Sequence, residues 1–144
     1  MKELACAATK DHCAHAGLLV LRLGLGITFL FVHGVPKLMG GTEKWEGVGQ
    51  AMAFFGITFA PAVWGFLAGL AEALGGLLLI LGLWVRPAAA FLLVVMIVAI
   101  TFHANAGTSY MHPLEMGIVF LALLVGGGGR YGLCALLGRE SKTG

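Results

Sequence analysis

The sequence predicts an all-α protein: a bundle of four transmembrane helices, with both termini cytoplasmic and an interfacial helix in the first outer loop. Three observations carry this. The chain is 59% hydrophobic and only 11% charged, whereas a soluble domain carries about 25% charged residues. Its mean hydropathy is +0.94. Four apolar segments recur between breaks marked by proline and glycine: Ala16 to Leu38, Pro61 to Val85, Pro87 to His103, and Pro113 to about Val125. At 144 residues one domain is expected. It divides into a cytoplasmic tail at 1–15, the four-helix domain at 16–130 and a second cytoplasmic tail at 131–144. A net charge of +2 and the lack of a basic stripe exclude a nucleic-acid partner.

The first segment exceeds the roughly 20 residues that cross a bilayer core, and Pro36 falls near its end. It reads as a retained anchor, because no small-residue cleavage site follows it. The second segment is also long enough. The third and fourth are short and gain a turn each from their flanks; the fourth has the glycine run Gly126 to Gly129 in which to continue. Pro61, Pro87 and Pro113 each open a helix, where the missing N–H is least costly. The turn WVRP makes the second and third segments antiparallel neighbours. Lys2, Lys10, Arg86, Arg130, Arg139 and Lys142 fall on one side, and only Lys37 and Lys44 on the other. The richer side is cytoplasmic. The loop from Met39 to Ala60 is then outside, and in it Trp45, Val48, Met52 and Phe55 suggest a helix lying at the outer leaflet.

In the second segment Gly65, Ala68, Gly69, Glu72, Gly75 and Gly76 recur at spacings of three and four. They form one small-residue face of the kind that lets helices approach in lipid. Leu70, Leu74, Leu77 and Leu81 cover the opposite side. Glu72 therefore points into the bundle. Counting from Pro61 at about 1.5 Å per residue puts it roughly 16 Å deep. A lone carboxylate at that depth is either protonated or paired with a cation.

Ionisable groups in membrane segments usually mark function, and each also has a plain structural reading. Arg22 snorkels to the headgroups, or faces inward on the stripe Arg22, Gly26, Phe29, His33. His33 is an interior site residue, or is satisfied by a carbonyl that Pro36 frees. Glu72 moves protons, or is interhelical glue. His103 belongs to a site near the outer surface, or is an interfacial histidine in water. Glu115 orients a histidine, or serves the free N–H groups of the fourth helix. His112 reads as a loop or capping residue. By depth, His33, His103 and Glu115 converge in the outer third, with Glu72 beneath. Two histidines and a carboxylate suit a transition metal, as a minority reading. They equally suit a proton-coupled quinone site, bound by His33, His103, Arg22 and Lys37. The tail cluster of Cys6, His12, Cys13 and His15 matches no zinc spacing and reads as a mobile tail, and Cys134 lies in the other tail.

The chain resembles the DoxX/DoxD-like membrane proteins of bacteria. The likeness rests on RLGLGITFLFVHGVPKL, on FFGI followed by GFLAGLAEALGGLLLILGLWVRPAA, on MIVAITFHANAG, on the Glu of PLEMG, and on GGGGRYGL. It runs over about residues 17–134. The resemblance implies a four-helix inner-membrane protein linked to thiosulfate:quinone oxidoreduction, or to membrane-associated thiol and oxidative-stress complexes, or to maturation of a partner. The family's polar positions fall here on His33, Lys37, Glu72, His103 and Glu115. The first expectation is a redox-linked subunit that meets a quinone or small electron donor. In it His33 and His103 bind or exchange protons, Glu115 orients a histidine, and Glu72 accepts a proton. Its partners would be the bilayer, a redox protein and a second copy of the chain. The alternatives are a non-enzymatic scaffold or assembly partner, and a small-solute or proton-coupled carrier. The carrier reading is weakened because the two halves show no inverted repeat.

Overall fold

The computed structural model describes the backbone of residues 2–133 and the side chains of residues 12–133. Among these, helices and turns account for all regular structure. α1 spans Lys2–Ile27 and runs without a break into a π-helical turn, Thr28–Gly34, and then into α2, Val35–Leu38. α3, Gly41–Gly49, and a 3-10 turn, Gln50–Phe55, fill the long connection that follows. α4 is Pro61–Leu81, α5 is Val85–Asn105 and α6 is Met111–Gly126. Among the described residues, three stretches are long and apolar enough to cross a membrane: His12–Leu38, Pro61–Leu81 and Val85–Asn105. α6 is a shorter apolar helix of 16 residues.

Local chemistry explains most of the boundaries. Pro36 lacks an N–H and its ring crowds the carbonyl one turn back. The helix widens into its π-turn just before that proline, so the axis passes through without a break. α4 stops at Leu81, short of the expected Val85, because Gly82 adopts a left-handed conformation (φ 67°) and its N–H donates to the carbonyls of Leu78 and Leu79. Trp84 is also left-handed, at φ 46°, and α5 begins at once. Pro87 thus falls inside its first turn, where no intrahelical donor is lost. Residues 2–15, read from the sequence as a mobile tail, continue α1 as helix. Cys13 is exposed and free, while the side chain of Cys6 and the whole of Cys134 lie outside the described residues.

The helices run up and down, so that α2, α3, the start of α4, the end of α5 and the start of α6 share one end, here called the loop end. Arg22, Arg86 and Tyr131 mark the opposite end. Phe29, Leu79, Leu92, Phe120 and Leu123, each at most 1% exposed, form the core where α1, α4, α5 and α6 meet.

The small residues of α4 do more than face one neighbour. A Cβ on Gly76 would come within 2.7 Å of the Gly26 carbonyl oxygen, and one on Gly75 within 2.8 Å of Leu92. A Cβ on Gly65 would collide with the backbone of Trp45. The stripe therefore admits α1, α5 and α3 around one helix. A helix forms in this connection as expected, but α3 ends at Gly49, with Met52 and Phe55 in the 3-10 turn, and it packs on the start of α4 at Gly49 and Gly65. The expected leucine face is present, with Leu74, Leu77 and Leu81 exposed.

Candidate functional site

Glu72 is 2% exposed, and its Oε1 accepts a hydrogen bond from Lys37 Nζ at 2.6 Å. The buried carboxylate is thus paired with a cation. Its Oε2 is buried and, among the described residues, has no hydrogen-bond partner. Lys37 reaches Glu72 because the π-turn and α2 keep the chain helical past Pro36 and lay it along α4. The carbonyls beside Lys37 are held in turn: the Trp45 indole N–H donates to the Lys37 oxygen at 2.7 Å, and Lys44 Nζ donates to the Pro36 oxygen at 3.1 Å. α3 therefore clamps the backbone that carries the lysine.

The pair lines a groove of about 870 Å³ between α4 and α5, closed at the loop end by α3 and the 3-10 turn. Its wall is apolar, from Trp84 and Phe91 through Leu74, Val94 and Leu78 to Phe102. Leu74, Phe91, Val94 and Trp84 are also exposed, so the groove opens sideways to the surroundings of the bundle. Its polar lining comes from Lys37, Glu72, His103 and Trp64. His103 Nδ1 lies 2.8 Å from Thr108 Oγ1, which fixes the ring. The Trp64 indole N–H is buried without a partner. Trp64 escaped the sequence reading: it sits among apolar residues, and only its place two turns before Glu72 on the same helix marks it.

The other expected site residues lie elsewhere. His33 does not line the groove. It packs on Phe29, with ring centroids 5.0 Å apart, and stacks on His112 at 6.1 Å and 29°. His112, read as a cap, is thus a partner of His33. Glu115 is exposed and, among the described residues, forms no side-chain hydrogen bond or ion pair, so the structure gives it no histidine to orient. The convergence of His33, His103 and Glu115 is not formed: among the described residues no three His, Cys, Asp or Glu side chains stand close enough to hold a metal ion. The small-residue stripe gave the rotation of α4 correctly, but no such stripe fixes which way His33 and Glu115 turn.

Arg22 is fully buried and does not snorkel. It donates to the Leu79 carbonyl at 3.4 Å and to the Tyr131 carbonyl at 3.2 Å. These contacts tie the end of α4 to the segment after α6. Eleven residues of helix, roughly 16 Å, separate it from His33, so the two do not share a ligand site.

A helical bundle with three membrane-length apolar helices, a shorter fourth, and an acid–lysine pair beside a side-opening groove is a multi-pass membrane protein. The DoxX family model matches residues 17–104. The chain belongs to the DoxX family. No curated protein matches it, and no solved structure does.

Proposed function

We propose that the chain is a redox-linked subunit of a bacterial inner membrane whose groove receives a lipophilic quinone-class carrier. The observation that supports this is the Lys37–Glu72 pair, with one carboxylate oxygen unpartnered, lining an otherwise apolar groove. The groove lies within the size range of small-molecule sites, about 300–1,000 Å³. Its polar groups are few and its mouth faces the lipid, which fits an amphiphile with one polar ring and a long apolar tail.

A quinone, when bound, supplies a two-electron, two-proton sink for electrons released as two thiol or thiosulfate molecules couple through a new S–S bond. The chain's own residues bind, orient and protonate. Lys37 Nζ donates toward an oxygen acceptor in the groove, and Trp64 Nε1 offers a second donor. His103, held by Thr108, presents its free ring nitrogen. Glu72 takes up or releases a proton, with Lys37 balancing its charge. The apolar wall keeps water from competing for these contacts.

The test is quinone extraction after gentle purification, followed by quinone-dependent oxidation of thiosulfate or a thiol in lipid nanodiscs. Glu72→Gln is expected to leave binding in place and to lower turnover by about 10²-fold or more. Purified protein that holds no quinone and shows no quinone-dependent activity overturns this reading.

A second reading, a membrane scaffold or assembly partner, is favoured by the clamp of α3 onto α2. There Lys37 and Glu72 simply hold helices together. Loss of folding or complex formation in Glu72→Gln supports the scaffold, whereas loss of turnover in a stable protein supports the chemistry.

A further inference from the structure

We propose that His112 and His33 carry protons between the loop-end surface and Glu72, by a route separate from the groove. This rests on the reading of Glu72 as a group that exchanges protons. The route follows from how the π-turn lies against α4 and meets α6. Gly34 is buried against α4 so closely that a Cβ there would lie 2.5 Å from the Ala73 nitrogen. His33 and Glu72 are the chain neighbours of these two touching residues, so they flank the same contact. The charged and titratable groups near enough to act electrostatically on His33 are Glu72 of α4, Lys37 of α2 and His112 of α6, and of these His112 stacks on its ring.

His112 is exposed, His33 is half-buried and Glu72 is buried, so the three form a graded series from surface to interior. The stacked imidazoles have centroids 6.1 Å apart, a spacing that one bridging water spans. Beneath them Phe29 packs edge-on against Phe120 at 4.8 Å. Both rings are buried, so the side of the series away from the loop end is apolar. Neither histidine lines the groove, and a ligand seated there leaves both accessible.

Each step is a proton transfer with no change in electron count. An imidazole accepts a proton on one nitrogen and releases one from the other. At the inner end an N–H bond of His33 breaks as an O–H bond forms on Glu72 Oε2, the oxygen that has no partner. The neutral acid then releases Lys37 Nζ, already at the groove wall, to bond a ligand. Proton arrival and ligand contact are in this way joined at one ion pair. His103 stands outside the route, because it lines the groove and is bonded to Thr108.

The experiment follows protonation of Glu72 by time-resolved infrared spectroscopy after a pH jump, on the full chain in nanodiscs. The carboxylic C=O band is assigned by its absence in Glu72→Gln. His33→Gln and His112→Gln are each expected to slow the band by at least about tenfold, and Glu43→Gln, at an exposed position on α3, to leave it unchanged. Imidazole added to the His112→Ala variant is expected to restore the rate, which a purely structural role would not allow. The exposed position of His112 keeps the test usable if His33→Gln fails to fold. Unchanged rates in the histidine variants, or no Glu72 band in the parent, overturn the relay. Quinone binding measured on the same samples separates the outcomes: binding with unslowed protonation sinks the relay alone, and slowed protonation without binding sinks the quinone reading alone.

Discussion

The two members of the ion pair are unequally placed: Lys37 is 24% exposed and Glu72 only 2%. Removing one leaves the other uncompensated, and the cost depends on which can still reach water. Lys37→Met strands a buried carboxylate and is expected to cost about 3–5 kcal/mol. Glu72→Leu leaves a lysine that can swing outward, so its loss is expected to be smaller. The double variant Lys37→Met/Glu72→Leu should regain much of the stability and none of the activity. Thermal unfolding in a mild detergent measures all three. Arg22 gives a second test. Lys in its place keeps the charge but not two carbonyl contacts, and is expected to cost about 1.5–3 kcal/mol. That Glu72 is interior was legible from its glycine and alanine neighbours. Its partner was not, because Lys37 stands at the very end of the first segment, past Pro36, and the sequence does not show the π-turn that lays it along α4. His112 was hidden for a similar reason: its place before Pro113 marks a helix start but not the ring across from it.

At the scale of elements, close approach does what side-chain size does elsewhere. Gly76 and Gly26 meet backbone to backbone, so Gly76→Val forces α1 and α4 apart and is expected to cost about 1–3 kcal/mol or more. Gly117 is the contrast. A Cβ there meets Leu93 and Met96 at 3.7 Å, an ordinary contact, so Gly117→Ala should be neutral or stabilising by about 0.5–1 kcal/mol. The same unfolding assay compares them, and equal losses at both sites would contradict the packing described. The helices themselves were readable from hydropathy and proline position. The docking of α3 was not, because contacts made through Gly49 and Gly65 leave no apolar period in the sequence. The fourth segment, expected from Pro113 to about Val125, forms as Met111–Gly126, and Gly127, with φ 74°, ends it before the rest of the glycine run.

For the whole molecule, the fold class was legible because few charges leave a membrane as the only solvent in which this chain can bury itself. Orientation is expected to follow the lysines and arginines. A membrane-impermeant maleimide applied from outside should label Thr42→Cys and Ser109→Cys, and reach Cys13 only after permeabilisation; the opposite pattern would invert the bundle. The pairing of Lys37 with Glu72 also orders events during synthesis. Chains emerge from the N-terminus, and early segments organise first. The lysine is therefore already parked at the end of the first span when the second begins to enter. The acid never has to wait alone in hydrocarbon, because its countercharge precedes it. Were the two residues exchanged, the carboxylate would sit at the boundary and the ammonium would have to cross toward it. The pair would be the same in the finished bundle, but the ammonium would then be the buried member and the carboxylate the one near water.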